Sequence, residues 1–182
     1  MLIAMAEAMH DKGYAGTPVA EVLKRAGISR ETFYQLFDSK LDCFLAAFDL
    51  VGEGLLGQLG NVRERGTGTP LERFERTLDA YLEVLASQPA YARLFLVEVY
   101  AAGPEAMKRR SALQHRFAEA VGDLLGAQNQ PDRFACQVVV AAISAMVTGP
   151  LVDHDLDALR QLGPLILDHV RRLSIGSTFF AA

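Results

Sequence analysis

The sequence predicts an all-α protein of about nine helices, and three observations predict it. Leucine and alanine together supply 51 of the 182 residues and tryptophan is absent, which favours helix formers over the β-branched and aromatic residues of strands. Helix starts and stops are legible at Thr17-Pro18, Ser29, Ser39, Thr69-Pro70 and Gly103-Pro104, where capping side chains, first-turn prolines and terminal glycines separate apolar runs. Finally, no internal repeat, low-complexity tract or long linker interrupts the chain, so helices of ordinary length account for it.

Taken in order, the first helix carries Leu2, Met5, Ala6 and Met9 on one side and is expected to end near Lys12, before Gly13. Thr17 is placed as the cap of a short second helix, with Pro18 at its first position and Val19, Val22 and Leu23 inward, ending at Ala26-Gly27. Ser29 caps a third helix from Arg30 to Leu36, with Phe33, Leu36 and Phe37 on one face and Glu31, Tyr34 and Gln35 on the other. Ser39 caps a fourth, where Asp42 completes a capping-box pattern ahead of Leu41, Phe44, Leu45 and Phe48.

Asn61 to Thr69, with two glycines and three charges, reads as a loop. Thr69-Pro70-Leu71-Glu72 is a second capping box opening a helix through Ser87. Pro89 starts a nearly continuous apolar helix to Ala102, and Gly103-Pro104 divides it from an amphipathic helix ending near Leu125. Pro131 opens a further apolar helix that Gly149-Pro150 is expected to stop. The last begins near Asp155, with Gly163-Pro164 expected to kink or split it.

The formal charge is −4, from 18 Lys and Arg against 22 Asp and Glu. Cys43 and Cys136 belong to no CxxC or Cys/His spacing, so they read as buried free thiols of a reducing compartment. The opening apolar stretch contains Glu7 and has no basic n-region or cleavage signature, unlike a signal peptide. Phe134 to Val152 is 19 residues without a charge, but polar interruptions and Gly149-Pro150 leave a span of roughly 22 Å. It therefore reads as a helix buried from several sides by protein, with no membrane contact. Asp153-His154-Asp155 reads as a loop and helix cap, and no metal is assigned to it. No Gly-rich phosphate loop and no nucleophile, base and orienter set occur in sequence; neither an enzyme nor a cofactor is expected.

Two short helices joined by a tight turn containing Gly27 form a helix-turn-helix pattern. In that geometry the second helix enters the major groove with its N-terminal residues facing base edges. Arg30, Glu31, Thr32 and Gln35 are then the candidates for base readout, since Arg suits guanine, Gln adenine, and Glu the cytosine amino group. For Glu31 a second role stays open: a carboxylate also favours the positive end of its own helix.

The run Gly13-Tyr14, Thr17, Val22, Ala26-Gly27-Ile28-Ser29, Thr32-Phe33-Tyr34, Phe37 and Ser39-Lys40 resembles the signature of TetR/AcrR-type transcriptional regulators. The resemblance implies a helix-turn-helix DNA-binding domain over residues 1–48 and a ligand-binding and dimerisation domain over 49–182. It implies phosphate contacts from Thr17, Tyr34 and Lys40, with the ring of Tyr34 packed beside Phe37. It also implies a C-terminal pocket, for which Tyr81, Leu85, Tyr91, Phe95, Glu98, Met107, Phe117 and Met146 are the candidates. For Glu98, a salt bridge to a neighbouring helix is the favoured alternative.

The last two helices are implied to pair with a second subunit, through Phe134, Val138, Ile143, Leu159, Leu162, Ile166 and Val170, with Met146, Val147, Leu156 and Leu173 continuing the apolar stripes. The expected partners are a double-stranded, pseudo-palindromic DNA operator, a small apolar effector and a second copy of the chain. The expected activity is ligand-released repression in the cytoplasm. Residues 1–48 hold five Lys or Arg against six acids, which is low for DNA affinity. That balance leads to the expectation of a basic segment upstream of this chain, and to an alternative function as a helical protein-interaction module without DNA binding.

Overall fold

The computed structural model describes residues 1–65 and 67–175, without the side chains of 61–65 and 173–175. Nine α-helices and one 3-10 turn make up the described residues: α1 (Leu2–Gly16), α2 (Val19–Ala26), α3 (Arg30–Leu36), α4 (Lys40–Arg65), α5 (Pro70–Ser87), α6 (Pro89–Leu96), the turn Glu98–Tyr100, α7 (Pro104–Leu125), α8 (Gln130–Asp153) and α9 (Leu156–Ile175). The expected all-α class holds.

Local signals act much as read. Thr69 and Glu72 form the reciprocal capping box of α5, Asp155 accepts the Ala158 amide at the start of α9 at 2.8 Å, and Ser39 accepts the Asp42 amide at 3.0 Å. α1 breaks at Gly13, whose φ of 70° ends its regular helix, although one further turn carries it to Gly16.

Tertiary packing overrides several expectations. α4 continues to Arg65 through most of the expected loop; Gly66 and the side chains of 61–65 lie outside the described residues. The helix expected to reach Ala102 ends at Leu96 and tightens into the 3-10 turn, where Glu98 turns inward to bind Arg93 and Tyr14. Pro150 does not stop α8; Val147 and Leu151 on either side are buried and hold the helix in register. Gly163-Pro164 does not split α9. A Cβ on Gly163 would stand 3.2 Å from Leu82 and 3.3 Å from Asp79, so this glycine lets α9 lie close on α5.

α1, α2 and α3 stand at one end. α1 packs on α4 and α6, while α5 against α9, α7 against α8, and α8 against α9 build the larger body. α4 crosses from one part to the other without a break between residues 48 and 49. Asp49 and Glu53 on α4 pair with Arg109 and Arg116 on α7, but these groups are exposed and contribute little. The connection is mainly apolar: the rings of Tyr14, Phe44, Phe48, Phe95 and Phe117 follow one another at centroid distances of 5.2, 6.4, 4.9 and 6.4 Å.

Candidate nucleic-acid interface and effector cavity

The helix-turn-helix geometry is built by two local devices. Gly27 takes φ 65° and ψ 33°, a left-handed conformation that costs a residue with a side chain roughly 1–2 kcal/mol. The turn lets the Ile28 amide reach the Leu23 carbonyl at 3.2 Å. Ser29 then accepts the Thr32 amide at 3.0 Å and starts α3. Only Phe33 of α3 is buried, so Arg30, Glu31, Thr32, Tyr34 and Gln35 all face outward from the end of the molecule. Leu36, expected inside, is 62% exposed because a seven-residue helix resting on α2 covers only one narrow stripe. Tyr34 meets Phe33 edge-on at 5.2 Å, rather than Phe37, with the Arg30 guanidinium 5.8 Å from its ring centre.

Thr17 corrects the sequence reading. Its side chain is fully buried, and its hydroxyl lies 2.7 Å from the Gly13 carbonyl and 3.1 Å from that of Ala8. Pro18, not Thr17, occupies the cap position of α2. The Thr17 hydroxyl therefore closes the end of α1 and has no path to a phosphate. Lys40 is half turned inward: Nζ donates to the carbonyls of Tyr14 at 2.9 Å and Thr17 at 3.2 Å and sits 4.1 Å from the Tyr14 ring centre. Partial burial lowers its pKa from the usual lysine value. An ammonium has three donors, and two are spent on this junction.

The remaining charge is unevenly placed. Lys12 pairs with Glu21 at 3.0 Å and Arg25 with Asp11 at 2.7 Å, both between α1 and α2. The Arg25 hydrogen bond holds the Asp11 carboxyl below its ordinary pKa, and the Lys12 hydrogen bond does the same for Glu21. Among the described residues Arg30 makes no ion pair, which leaves its charge available at the exposed N-terminal end of α3.

Behind this end, the Glu98 carboxylate accepts the Tyr14 amide at 2.7 Å and pairs with Arg93 at 3.3 Å. Glu98 is thus held by a salt bridge, as favoured over a ligand contact, although Arg93 belongs to the preceding helix of the same segment. The absence of a side chain at Gly13 makes room for it: a Cβ there would lie 3.3 Å from Glu98 Oε2.

A cavity of about 100 Å³ lies between α4, α5, α6, α7 and α8. Of the residues expected to line it, Tyr81, Phe95 and Phe117 do so. Leu85, Tyr91, Glu98 and Met107 do not: Leu85 is in the core and Glu98 is engaged at the α1 junction. Met146 is also absent from the wall because it faces outward on α8. Sequence reasoning missed Leu55, Leu59, Phe74 and Leu78, and above all the polar Arg110, Gln114 and Ser144. One signal was present, since Arg110, Gln114, Phe117 and Val121 recur at the spacing of a single helix face.

The two C-terminal helices divide the expected dimer residues. Ile143, Leu159, Ile166 and Val170 are buried inside the chain itself and Leu162 packs partly against its core, so these cover their own subunit. Phe134 and Val138 are exposed, Phe134 at 64%. Leu173 lies outside the described side chains. α8 is accordingly not buried from several sides by this chain. α8 and a segment of α4 are each long and apolar enough to cross a membrane by length and composition alone. Their inner faces belong to the common core.

Residues 2–47, spanning α1 to the first part of α4, match the family described as "Bacterial regulatory proteins, tetR family". The helix-turn-helix end of the chain is thus similar to the TetR family. Two curated relatives are regulators from Mycolicibacterium smegmatis. The HTH-type transcriptional activator FasR is 24% identical over 80% of this chain and 66% of its own length. The HTH-type transcriptional regulator EthR is 28% identical over 67% of this chain and 56% of its own. The chain therefore spans less than two thirds of each. Among solved structures, FadR from Bacillus subtilis in complex with stearoyl-CoA superposes with a TM-score of 0.74 at 17% identity, covering 92% of this chain and 94% of that one. PfmR from Thermus thermophilus superposes at 0.71 with 19% identity, over 92% and 96%. These structures share the TetR fold over both the α1–α3 end and the larger helical body.

Proposed function

We propose that this chain is a ligand-responsive transcriptional regulator of the cytoplasm that binds a pseudo-palindromic DNA operator as a homodimer, most simply as a repressor. The observation carrying this reading is the outward set on α3: Arg30, Glu31, Thr32, Tyr34 and Gln35 are exposed together on a helix anchored by Phe33 alone. Arg30, Glu31, Thr32 and Gln35 supply base-edge chemistry. Tyr34 and the third donor of Lys40 serve phosphates, and such contacts set register without reading sequence. Thr17 is withdrawn from that set.

Dimerisation is supported by the outer face of α8. The exposed Phe134, Val138, Ala145, Gly149 and Val152 fall within roughly a quarter of the helix circumference, and Leu165 of α9 is exposed as well. An apolar face of this kind marks an interaction surface, and two copies would present two α3 helices to successive major grooves about 34–36 Å apart.

The size of the cavity supports release by an effector. Ligand sites usually occupy about 300–1,000 Å³, whereas this one offers about 100 Å³, so an occupant must spread its walls. Phe95 and Leu96 form part of that wall and lead directly into Glu98, which holds Tyr14. A ligand favouring the spread form lowers DNA affinity by its differential affinity for the two states. In the same fold FadR holds stearoyl-CoA, which supports an apolar effector here.

The test is genome-wide selection of bound DNA fragments, then titration of the best fragment against salt. One enriched inverted repeat with a steep salt slope is expected. The acidic balance of residues 1–48 and the pairing of Lys12 and Arg25 with acids favour the second reading, a protein-interaction module, if no fragment is enriched.

A further inference from the structure

We propose that the effector is a carboxylate on an apolar body, its acid group held by Arg110 and its body lying among Leu55, Leu59, Phe74 and Leu78. This rests on the effector reading above and deepens it. The cavity wall is almost entirely apolar, yet Arg110 reaches it from α7. Its Nη2 donates to Ser144 Oγ at 3.0 Å and its Nη1 to Gln114 Oε1 at 3.2 Å, and its guanidinium lies 4.9 Å from the Tyr100 ring centre. Among the described residues no carboxylate pairs with it. Its neighbours on α7 do find carboxylates: Arg109 binds Asp49 and Arg116 binds Glu53.

Tyr81 adds a second polar group. It lines the same cavity, its hydroxyl has no hydrogen-bond partner among the described residues, and Arg110 is the charge that acts on it most directly. A partly buried guanidinium with neutral neighbours lacks the counter-charge that buried ions normally find. One guanidinium flanked by the hydroxyls of Tyr81 and Ser144 matches a single negative charge with two acceptor oxygens. A dianionic phosphate ester would leave one charge uncompensated in an apolar wall, and a neutral alcohol or hydrocarbon would leave Arg110 unanswered.

The experiment is calorimetric titration of the whole chain at neutral pH with straight-chain carboxylates from hexanoate to dodecanoate, and with the alcohols of matching length. The wild type is expected to bind at least one carboxylate about tenfold or more tighter than its alcohol. Arg110→Met should erase that preference, and Arg110→Lys should restore part of it. Circular dichroism melts check that each variant is folded; if Arg110→Met fails to fold, Tyr81→Phe and Arg110→Lys carry the comparison, each expected to reduce the preference. Equal affinity for acid and alcohol, an unchanged preference in the folded variants, or no binding by any carboxylate would overturn the proposal. DNA selection with the unliganded protein is read separately, so failure of the carboxylate assignment is distinguished from failure of the regulator reading.

Discussion

The amide of Tyr14 donates to the carboxylate of Glu98 across a gap of 84 residues, at 2.7 Å. Tyr14 closes α1 at the reading end, and Glu98 follows the cavity-lining Phe95 and Leu96. The same Tyr14 supplies its carbonyl to Lys40 at 2.9 Å. One residue therefore joins the cavity wall to a proposed phosphate contact.

Replacing Glu98 by Gln keeps an acceptor for the Tyr14 amide and removes the counter-charge of Arg93. Both groups of this pair are largely buried, at 7% and 15% side-chain exposure. Stranding the guanidinium is expected to cost about 3 kcal/mol, measured by denaturant unfolding. A loss below about 1 kcal/mol would mean that Arg93 finds a substitute partner.

On the reading helix, Tyr34→Ala should weaken binding to all DNA sequences alike, whereas Arg30→Ala or Gln35→Ala should change which base is preferred at one position by about 1–3 kcal/mol. The three side chains are exposed, so stability should stay within about 0.5 kcal/mol. Competition binding against operators varied one base at a time separates the two effects. DNA binding insensitive to all three would place the interface elsewhere.

Two glycines differ in why they are required. Gly27 has open space around it and a φ of +65°, so Gly27→Ala should cost about 1–2 kcal/mol through backbone strain. A Cβ on Gly52 would overlap the side chain of Leu113, and Gly52→Ala should cost about 1–3 kcal/mol through overpacking between α4 and α7. Trimming Leu113 to Ala should relieve the clash in the second case and have no bearing on the first, as a double-mutant cycle would show.

Phe134→Asp together with Val138→Asp places charges on the exposed face of α8. Sedimentation should show a shift from dimer to folded monomer, with a parallel loss of operator affinity. A monomeric wild type would refute this assignment of the face.

Burial raises both thiols, Cys43 and Cys136, from the ordinary 9.0 to about 11. Between those two values the unfolded chain has lost protons that the folded one keeps, so stability should fall as pH rises from about 9 to about 11 and level off above. Replacing both by Ala should flatten that part of the unfolding profile. At neutral pH neither thiol should react with a disulfide reagent until the chain is unfolded.

The sequence by itself determined the helical class, the capped starts of α3, α5 and α9, and the polar face of α3. Those features depend on contacts within a few residues, between a cap and its third amide or along one helix face. Tertiary structure decided the fates of groups whose partners are distant in the chain. Thr17 turned from an expected phosphate ligand into a lock on Ala8 and Gly13, and Glu98 reached Tyr14. Ile143 and Val170 went to their own core while Phe134 stayed outside. Periodicity marks a face as apolar but does not say which neighbour covers it. That choice is made by the packing of all the helices together, which also brings the polar Arg110 to a cavity whose other walls come from four different helices.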